Sequence, residues 1–572
     1  MAKRSKVSKT PAAMPIMSEP WCLLASWRPY IIIAVLGLLV YIKAAFFNYT
    51  YLDDNNLILD NFYFIKNLAN VLTAFGQDIF RQFGGGEIYY RPLMTISFML
   101  DAQWGGTSPM MYHVTNIILH LIASCLVFFL LIKLDFRKDV SLLLALLFSV
   151  HPVLSQAVGW IPGRNDPLLA IFLLPSFIMF IKMDEGNRSL RGLLSVVLFF
   201  LSLLTKETAM LLPPLCLLYA WLFRRPKLAP AEWGAMIAGW CAAVVPWFLL
   251  RSAALKYPME LKPEYIVRSL VVNFPATVQM IGKIFLPFNL SVLPIMRDTT
   301  FIYGAAALIG LLAWTVYSKE RDLKMVLFGA AWFLLFLLPS FVRPNPDLPA
   351  DFIEHRLYLP MAGMLMLLAA TMKGYDLKKK VPLACAAALL ATFSAITFVH
   401  LDVFRDRISF WENAAANSPH YPLAHRNLGA MYYLAQDYTR AFPEYQKALV
   451  LNPNEPMAHN NLGLIYMNHG QLAEAEMEYK KEIAINPNYD TVHFNLGLLY
   501  FSQKKAGAAE AEFKRTLEIN PEYIDAYKYL TVLYYEQRRM ADATACVREL
   551  QRRGIEVPPG LLKALKLDQF IQ

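Results

Sequence analysis

The stretch YLDDNNLILDN, residues 51–61, sets the adjacent carboxylates Asp53 and Asp54, then Asn55, Asn56 and Asp60, just past an apolar run of membrane length. A carboxylate at a membrane surface can act as a general base and take a proton from a hydroxyl. It can equally cap a short helix, the more ordinary role of an isolated Asp. Adjacent side chains do not point the same way. At most one of the pair therefore takes a proton, while the other orients it, binds an acceptor or helps hold a cation.

Further ionisable residues recur between later apolar runs. YYRPL carries Arg91. HPVLSQAVGWIPGRND carries His151, Arg164 and Asp166. LLTKETA carries Lys206 and Glu207, and DFIEHRLYLP carries Glu354, His355, Arg356 and Tyr358. Each has an ordinary structural reading. Arg91 and Arg356 can snorkel to head groups, Lys206 and Glu207 can pair within a hairpin, and His151 before Pro152 can be a satisfied packing residue. Ionisable groups at membrane depth are costly unless satisfied, so their convergence on one face marks functional candidates. A lipid-linked sugar phosphate offers a leaving group that needs cations rather than a strong acid, and its hydroxyl acceptor needs one base. Asp53 or Asp54, with Arg91, Arg164, Lys206 and Arg356, meets that demand better than the paired acids of a soluble glycosidase.

Elements must carry these residues to one face. The 572 residues are 56% hydrophobic and 17% charged, against about 25% charged in ordinary soluble chains. Apolar runs fill the first 400 residues and then stop. This predicts an all-α protein: a polytopic membrane helix bundle over 1–402 and a soluble helical domain over 403–572. Eleven spans are expected, at 28–47, 110–133, 139–158, 167–183, 192–208, 209–223, 232–252, 301–317, 325–342, 357–372 and 381–400. Residues 264–290 carry Arg268, Pro275 and Lys283 and read as interfacial or re-entrant.

The net charge of +10 lies largely in short basic loops between apolar runs, a positive-inside pattern rather than a nucleic-acid patch. It keeps the basic N-terminal tail inside, as an uncleaved first helix, and puts 48–109 and the C-terminal domain outside. Six scattered cysteines without CxxC spacing give no disulfide framework and no zinc site. FGGGE at 83–87 reads as a loop bend, and the triplets at 48–50 and 289–291 match the N-glycan acceptor pattern.

From about residue 405 the periodicity changes. NLGAMYY at 427, NLGLIYM at 461 and NLGLLYF at 495 recur every 34 residues, and Asn-Pro recurs at 452, 486 and 520. This resembles the tetratricopeptide repeat, a scaffold that holds peptides or partner proteins.

Taken in order, LDDN, YYRPLMTISF, MYHVTNIILH, FSVHPVLSQAVGWIPGRND, LLTKET, EHRLYLP and the repeats resemble the transmembrane and tetratricopeptide-repeat (TMTC) protein O-mannosyltransferases and their bacterial relatives, within the GT-C glycosyltransferases. The resemblance implies an inverting transfer, metal-independent or weakly dependent on a divalent cation, from a polyprenyl-phosphate sugar, mannose in animal members, to Ser or Thr of a protein held by the repeats. It implies an acid of the first outward loop as base, here Asp53 ahead of Asp54. It implies donor-phosphate contacts from later outward loops, here Arg91, Arg164, Lys206 and Arg356. The few repeats and short chain point to a bacterial homologue, in the inner membrane with the repeats in the periplasm; the alternative is the endoplasmic reticulum with the repeats in the lumen. Two other readings remain. One is an oligosaccharyltransferase or O-antigen-ligase type enzyme using a pyrophosphate-linked glycan, which favours a large late loop where this chain has the short 343–356. The other is a non-catalytic membrane scaffold.

Overall fold

The computed structural model describes residue 24 and residues 26–80, 89–255, 262–342 and 351–564. The basic tail, the glycine run at 83–87 and most of the loop 343–356 lie outside the described residues. Within them the chain is helical without strands; a single antiparallel bridge joins Ile295 to Asp351. It divides into two compact units, Met1–Arg407 and Ile408–Gln572.

In the first unit every expected span contains helix, but not all are full crossings. Among the described residues, six helices are long and apolar enough to cross a membrane: Arg28–Phe46, Pro109–Lys133, Ile161–Ile181, Pro230–Ala254, Leu323–Phe341 and Lys380–Phe404. The span expected at 139–158 is a pair, Lys138–Ser149 and Pro152–Gly159, bent by 49°. The bend falls where Pro152 disfavours helix at His151. Glu207–Phe223 and Ile302–Tyr317 are shorter apolar helices, and the helices at 192–208 and 357–372 run only Arg188–Leu203 and Tyr358–Thr371. Eleven complete crossings are therefore more than these lengths display, since about 20 residues are needed for ~30 Å of hydrocarbon.

Residues 264–290 form two helices, Pro263–Asn273 and Ala276–Phe285, of 11 and 10 residues. They break at Phe274-Pro275, and neither is long enough to span. A helix that the apolar pattern does not announce, Pro92–Gly105, begins at the Arg91-Pro92 step and buries Asp101. Leu323–Leu337 and Tyr358–Thr371 pack backbone to backbone. A Cβ on Gly329 would meet the Gly363 carbonyl oxygen at 2.6 Å, and one on Gly363 would meet the Gly329 oxygen at 2.5 Å.

The second unit stacks helix pairs in register with the 34-residue period: Pro422–Leu434 with Tyr438–Leu451, Ala458–Asn468 with Leu472–Ile485, Asp490–Ser502 with Ala506–Ile519, and Ile524–Glu536 with Met540–Arg552. His425, His459 and His493 each reach the Glu nineteen residues on (Glu444, Glu478 and Glu512, at 2.6, 2.5 and 2.7 Å). Their other ring nitrogen donates to the carbonyl of Pro419, Pro453 or Pro487. These histidines tie each of the first three pairs to the turn before it.

A candidate active site at the first loop

The turn that follows the first span is built by Asp54. Its Oδ2 accepts from Thr50 N and Thr50 Oγ1 at 2.7 and 2.9 Å, and its Oδ1 accepts from Tyr51 N and Asn55 N at 2.7 and 3.0 Å. Fully buried and surrounded by donors, Asp54 caps the π-helical turn Asn55–Leu59. Burial pushes its carboxyl up to about 7, opposed by those four hydrogen bonds. The turn is tight enough that Tyr51 and Asp53 take φ of 59° and 67°, a region L residues enter at a cost and Asp tolerates better than most. Trp160 pins the loop by donating from Nε1 to Leu52 O at 2.8 Å.

The result is that Asp53, not Asp54, lines a cavity of about 480 Å³. Asp53 is pushed up to about 6 by burial, with Arg91 pulling it down and Asp351 raising it. That value suits a base working near neutral pH. Asn55 and Asn56 hydrogen-bond to each other at 2.7 Å, and Asp60 is exposed; none of the three lines the cavity.

Three of the four expected phosphate-binding cations also line the cavity, each with a carboxylate beside it. Arg91, which precedes helix Pro92–Gly105, pairs with Glu207 at 2.9 Å and lies over the Tyr89 ring. Lys206 donates to Asp166 Oδ1 at 2.7 Å, and Arg356 lies 3.3 Å from Asp351. Arg251 lines the cavity with no ion pair or hydrogen bond to its side chain among the described residues. It sits in the last turn of helix Pro230–Ala254. The sequence signal for it was a lone arginine closing an apolar run, at the outward end under the charge-derived orientation.

Arg164 corrects the expectation. Its guanidinium is completely buried away from the cavity. It meets Asp101 at 2.6 Å, Asn116 Oδ1 at 2.9 Å and Tyr112 O at 2.7 Å, and it lies over the Phe98 ring. With its donors engaged there, it holds helix Pro92–Gly105 against Pro109–Lys133 instead of lining the cavity.

His151, Glu354 and Tyr358 are likewise internal. His151 donates from Nε2 to Ile284 O and accepts at Nδ1 from Val153 N. Glu354 accepts from Lys283 Nζ at 2.6 Å and Ser291 N at 2.9 Å. Tyr358 donates to His120 Nδ1 at 2.8 Å. Their neighbours do reach the cavity, because Gln156 clamps the loop: its Oε1 accepts from the Glu354 and His355 amides, and its Nε2 donates to Val292 O. His355, Asp166, Glu207 and Asn165 all line the cavity. Gly163 allows the Asn165–Asp166 helix start to close on this turn, since a Cβ there would lie 2.6 Å from Gln156 O.

Among the described residues, no three His, Cys, Asp or Glu side chains gather as a metal-ligand set. The acids of the cavity face Arg91, Lys206 and Arg356 instead.

The two units therefore define a helical membrane protein with a polar cavity beside its first loop and a helical-repeat C-terminal unit. Residues 429–470 and 464–504 match the family described as TPR repeat, and 491–523 the tetratricopeptide repeat. The chain is similar to curated relatives named as protein O-mannosyl-transferases of the TMTC kind. It is 26% identical over 428 residues to the Caenorhabditis elegans Protein O-mannosyl-transferase F38B6.6, covering 70% of this chain and 59% of that one. It is 32% identical over 133 residues to mouse Protein O-mannosyl-transferase TMTC3 (23% of this chain, 14% of that one), and 37% identical over 139 residues to human Protein O-mannosyl-transferase TMTC4 (21% and 19%). The chain thus spans less than two thirds of the length of these relatives. Among solved structures, an Archaeoglobus fulgidus oligosaccharyltransferase tethered with an acceptor peptide aligns with 70% of this chain and 59% of its own, at TM-score 0.39 and 12% identity.

Proposed function

We propose that this protein is an integral-membrane glycosyltransferase. It moves a single sugar, mannose, from a polyprenyl-phosphate donor to a Ser or Thr hydroxyl of a protein held by the repeat unit. The transfer takes place on the extracytoplasmic side, and in a bacterial host the repeats lie in the periplasm. The observation that carries this reading is the cavity itself: Asp53, its carboxyl raised to about 6, shares the lining with cations that include Arg251, which has no ion pair among the described residues. A Protein O-mannosyl-transferase relative aligned over 70% of the chain supports it.

The chemistry balances simply. The acceptor oxygen attacks the anomeric carbon as Asp53 takes the hydroxyl proton, and the bond from that carbon to the phosphate oxygen breaks. The leaving polyprenyl phosphate gains negative charge. Arg251, with Arg356 and Arg91 nearby, stabilises it. Attack opposite the leaving group inverts the anomeric centre.

The test is transfer by purified protein in lipid, offered polyprenyl-phosphate mannose, a polyprenyl-pyrophosphate glycan and a pool of acceptor peptides. A gain of one hexose from the monophosphate donor supports the proposal. Transfer only from the pyrophosphate donor moves the protein to the ligase class, and no transfer from either leaves the scaffold reading.

A further inference from the structure

The cavity lining carries polar atoms without partners among the described residues. Asn165 Oδ1, Asp166 Oδ2 and His355 Nδ1 are each buried and make no hydrogen bond among the described residues. Their residues are 5, 4 and 5% exposed, and all three line the cavity. Asp166 spends only one oxygen on Lys206. Its second lies 3.8 Å from His355 Nε2, too far for a hydrogen bond. Buried polar atoms are nearly always satisfied, and orphans clustered in a cavity mark where a ligand supplies the partner.

The type of atom says what that partner is. An ionised carboxylate only accepts, so the group facing Asp166 Oδ2 must donate. A phosphodiester only accepts, so it cannot be that group. A hydroxyl both donates and accepts, so it also suits the Asn165 amide in either orientation and either tautomer of the imidazole. Trp160 completes the wall, its ring 5.3 Å from that of His355. It offers an apolar face for the C–H side of a sugar ring.

We infer that Asn165, Asp166 and His355 form a hydroxyl-reading subsite that selects the transferred sugar, beside the cations that take the phosphate. The inference rests on the proposed glycosyl transfer and adds to it the side chains that discriminate the sugar. A site built to bond a hydroxyl rejects analogues lacking it far more strongly than an apolar pocket rejects a change in size.

The experiment uses the full-length protein in lipid, with polyprenyl-phosphate mannose, its 2-, 3-, 4- and 6-deoxy analogues and sugar-free polyprenyl phosphate. Transfer is measured as kcat/KM, and binding by competition against labelled polyprenyl phosphate. In wild type, at least one deoxy donor is expected to lose about 10²-fold or more in kcat/KM. In Asn165→Ala or Asp166→Asn the parent donor drops, and its advantage over that same deoxy donor shrinks at least ~10-fold. Sugar-free polyprenyl phosphate binds wild type and Asn165→Ala alike, which also reports that this variant is folded. If a variant does not fold, the wild-type deoxy profile alone decides. Mannose transfer with every deoxy donor within about threefold of the parent overturns the subsite and leaves the transferase standing. Neither binding nor transfer of any of these lipids overturns both.

Discussion

Asp53 and Asp54 differ in what surrounds them rather than in what they are. Asp54 spends its carboxylate on four local donors, and Asp53 is turned into the cavity by the positive φ that this bonding enforces. Asp54→Ala is expected to destabilise the first unit by about 2–4 kcal/mol, from several lost hydrogen bonds of ~1 kcal/mol each, read as a lower unfolding midpoint in lipid or detergent. A base must be deprotonated to act, so with Asp53 near 6 the pH profile of kcat/KM should fall as pH drops through about 6. Stability runs the other way. Burial raises the folded carboxyl above its unfolded value of about 3.9, so its contribution to folding is present at low pH and is lost as pH rises from about 4 to about 6. Arg251→Met should raise the donor KM roughly 10- to 100-fold while leaving the unfolding midpoint in place, since a charge-assisted hydrogen bond is worth about 1.5–3 kcal/mol.

The motif LDDN was legible as a candidate base, and the resemblance put Asp53 ahead of Asp54, but the residues alone did not separate the two acids, because which one faces the cavity depends on a backbone turn. Nor did any spacing announce that Arg164 is claimed by Asp101, 63 positions earlier in the chain, or that Arg251 has no such claimant among the described residues. Pairing across sequence distance decides which cation is available.

At the scale of elements, apolar runs identified the helices, while polar interruptions decided how each one ends. His151-Pro152 bends one span and Phe274-Pro275 breaks another segment. Helix Pro92–Gly105 was missed because its 14 residues are too few to read as a span and carry a charge, Asp101. That helix depends on Arg164. Arg164→Met leaves the Asp101 carboxylate buried without its partner, a loss of about 3–5 kcal/mol. It should appear as reduced thermal stability and greater proteolytic sensitivity of 92–105, with transfer falling in step with the folded fraction. Gly163→Ala should act locally instead. The added Cβ would sit against Gln156 O, so the turn carrying Asn165 and Asp166 must shift. Transfer should drop more than the unfolding midpoint does.

At the scale of the whole molecule, the 34-residue period marked the repeat unit, and its helix pairs recur at that spacing, because each repeat packs chiefly on its neighbours. The membrane unit was less legible, since its site is assembled from loops up to 300 residues apart. The division at Arg407 separates the proposed chemistry from the proposed acceptor holding. A chain ending at 407 should transfer to short Ser/Thr peptides within a few-fold of the full chain and lose at least ~10-fold toward protein acceptors. Equal losses on both would place the repeats in support of the membrane unit rather than in substrate capture.

The most direct measurement is single-turnover transfer by wild type, Asp53→Asn and Asp54→Asn at saturating polyprenyl-phosphate mannose, with donor affinity measured in parallel. The account predicts that Asp53→Asn binds donor as wild type does and transfers about 10²–10⁴-fold more slowly, the usual worth of a general base. Its unfolding midpoint should be unchanged or raised, while any loss in Asp54→Asn follows its stability. Wild-type rates in Asp53→Asn would contradict it.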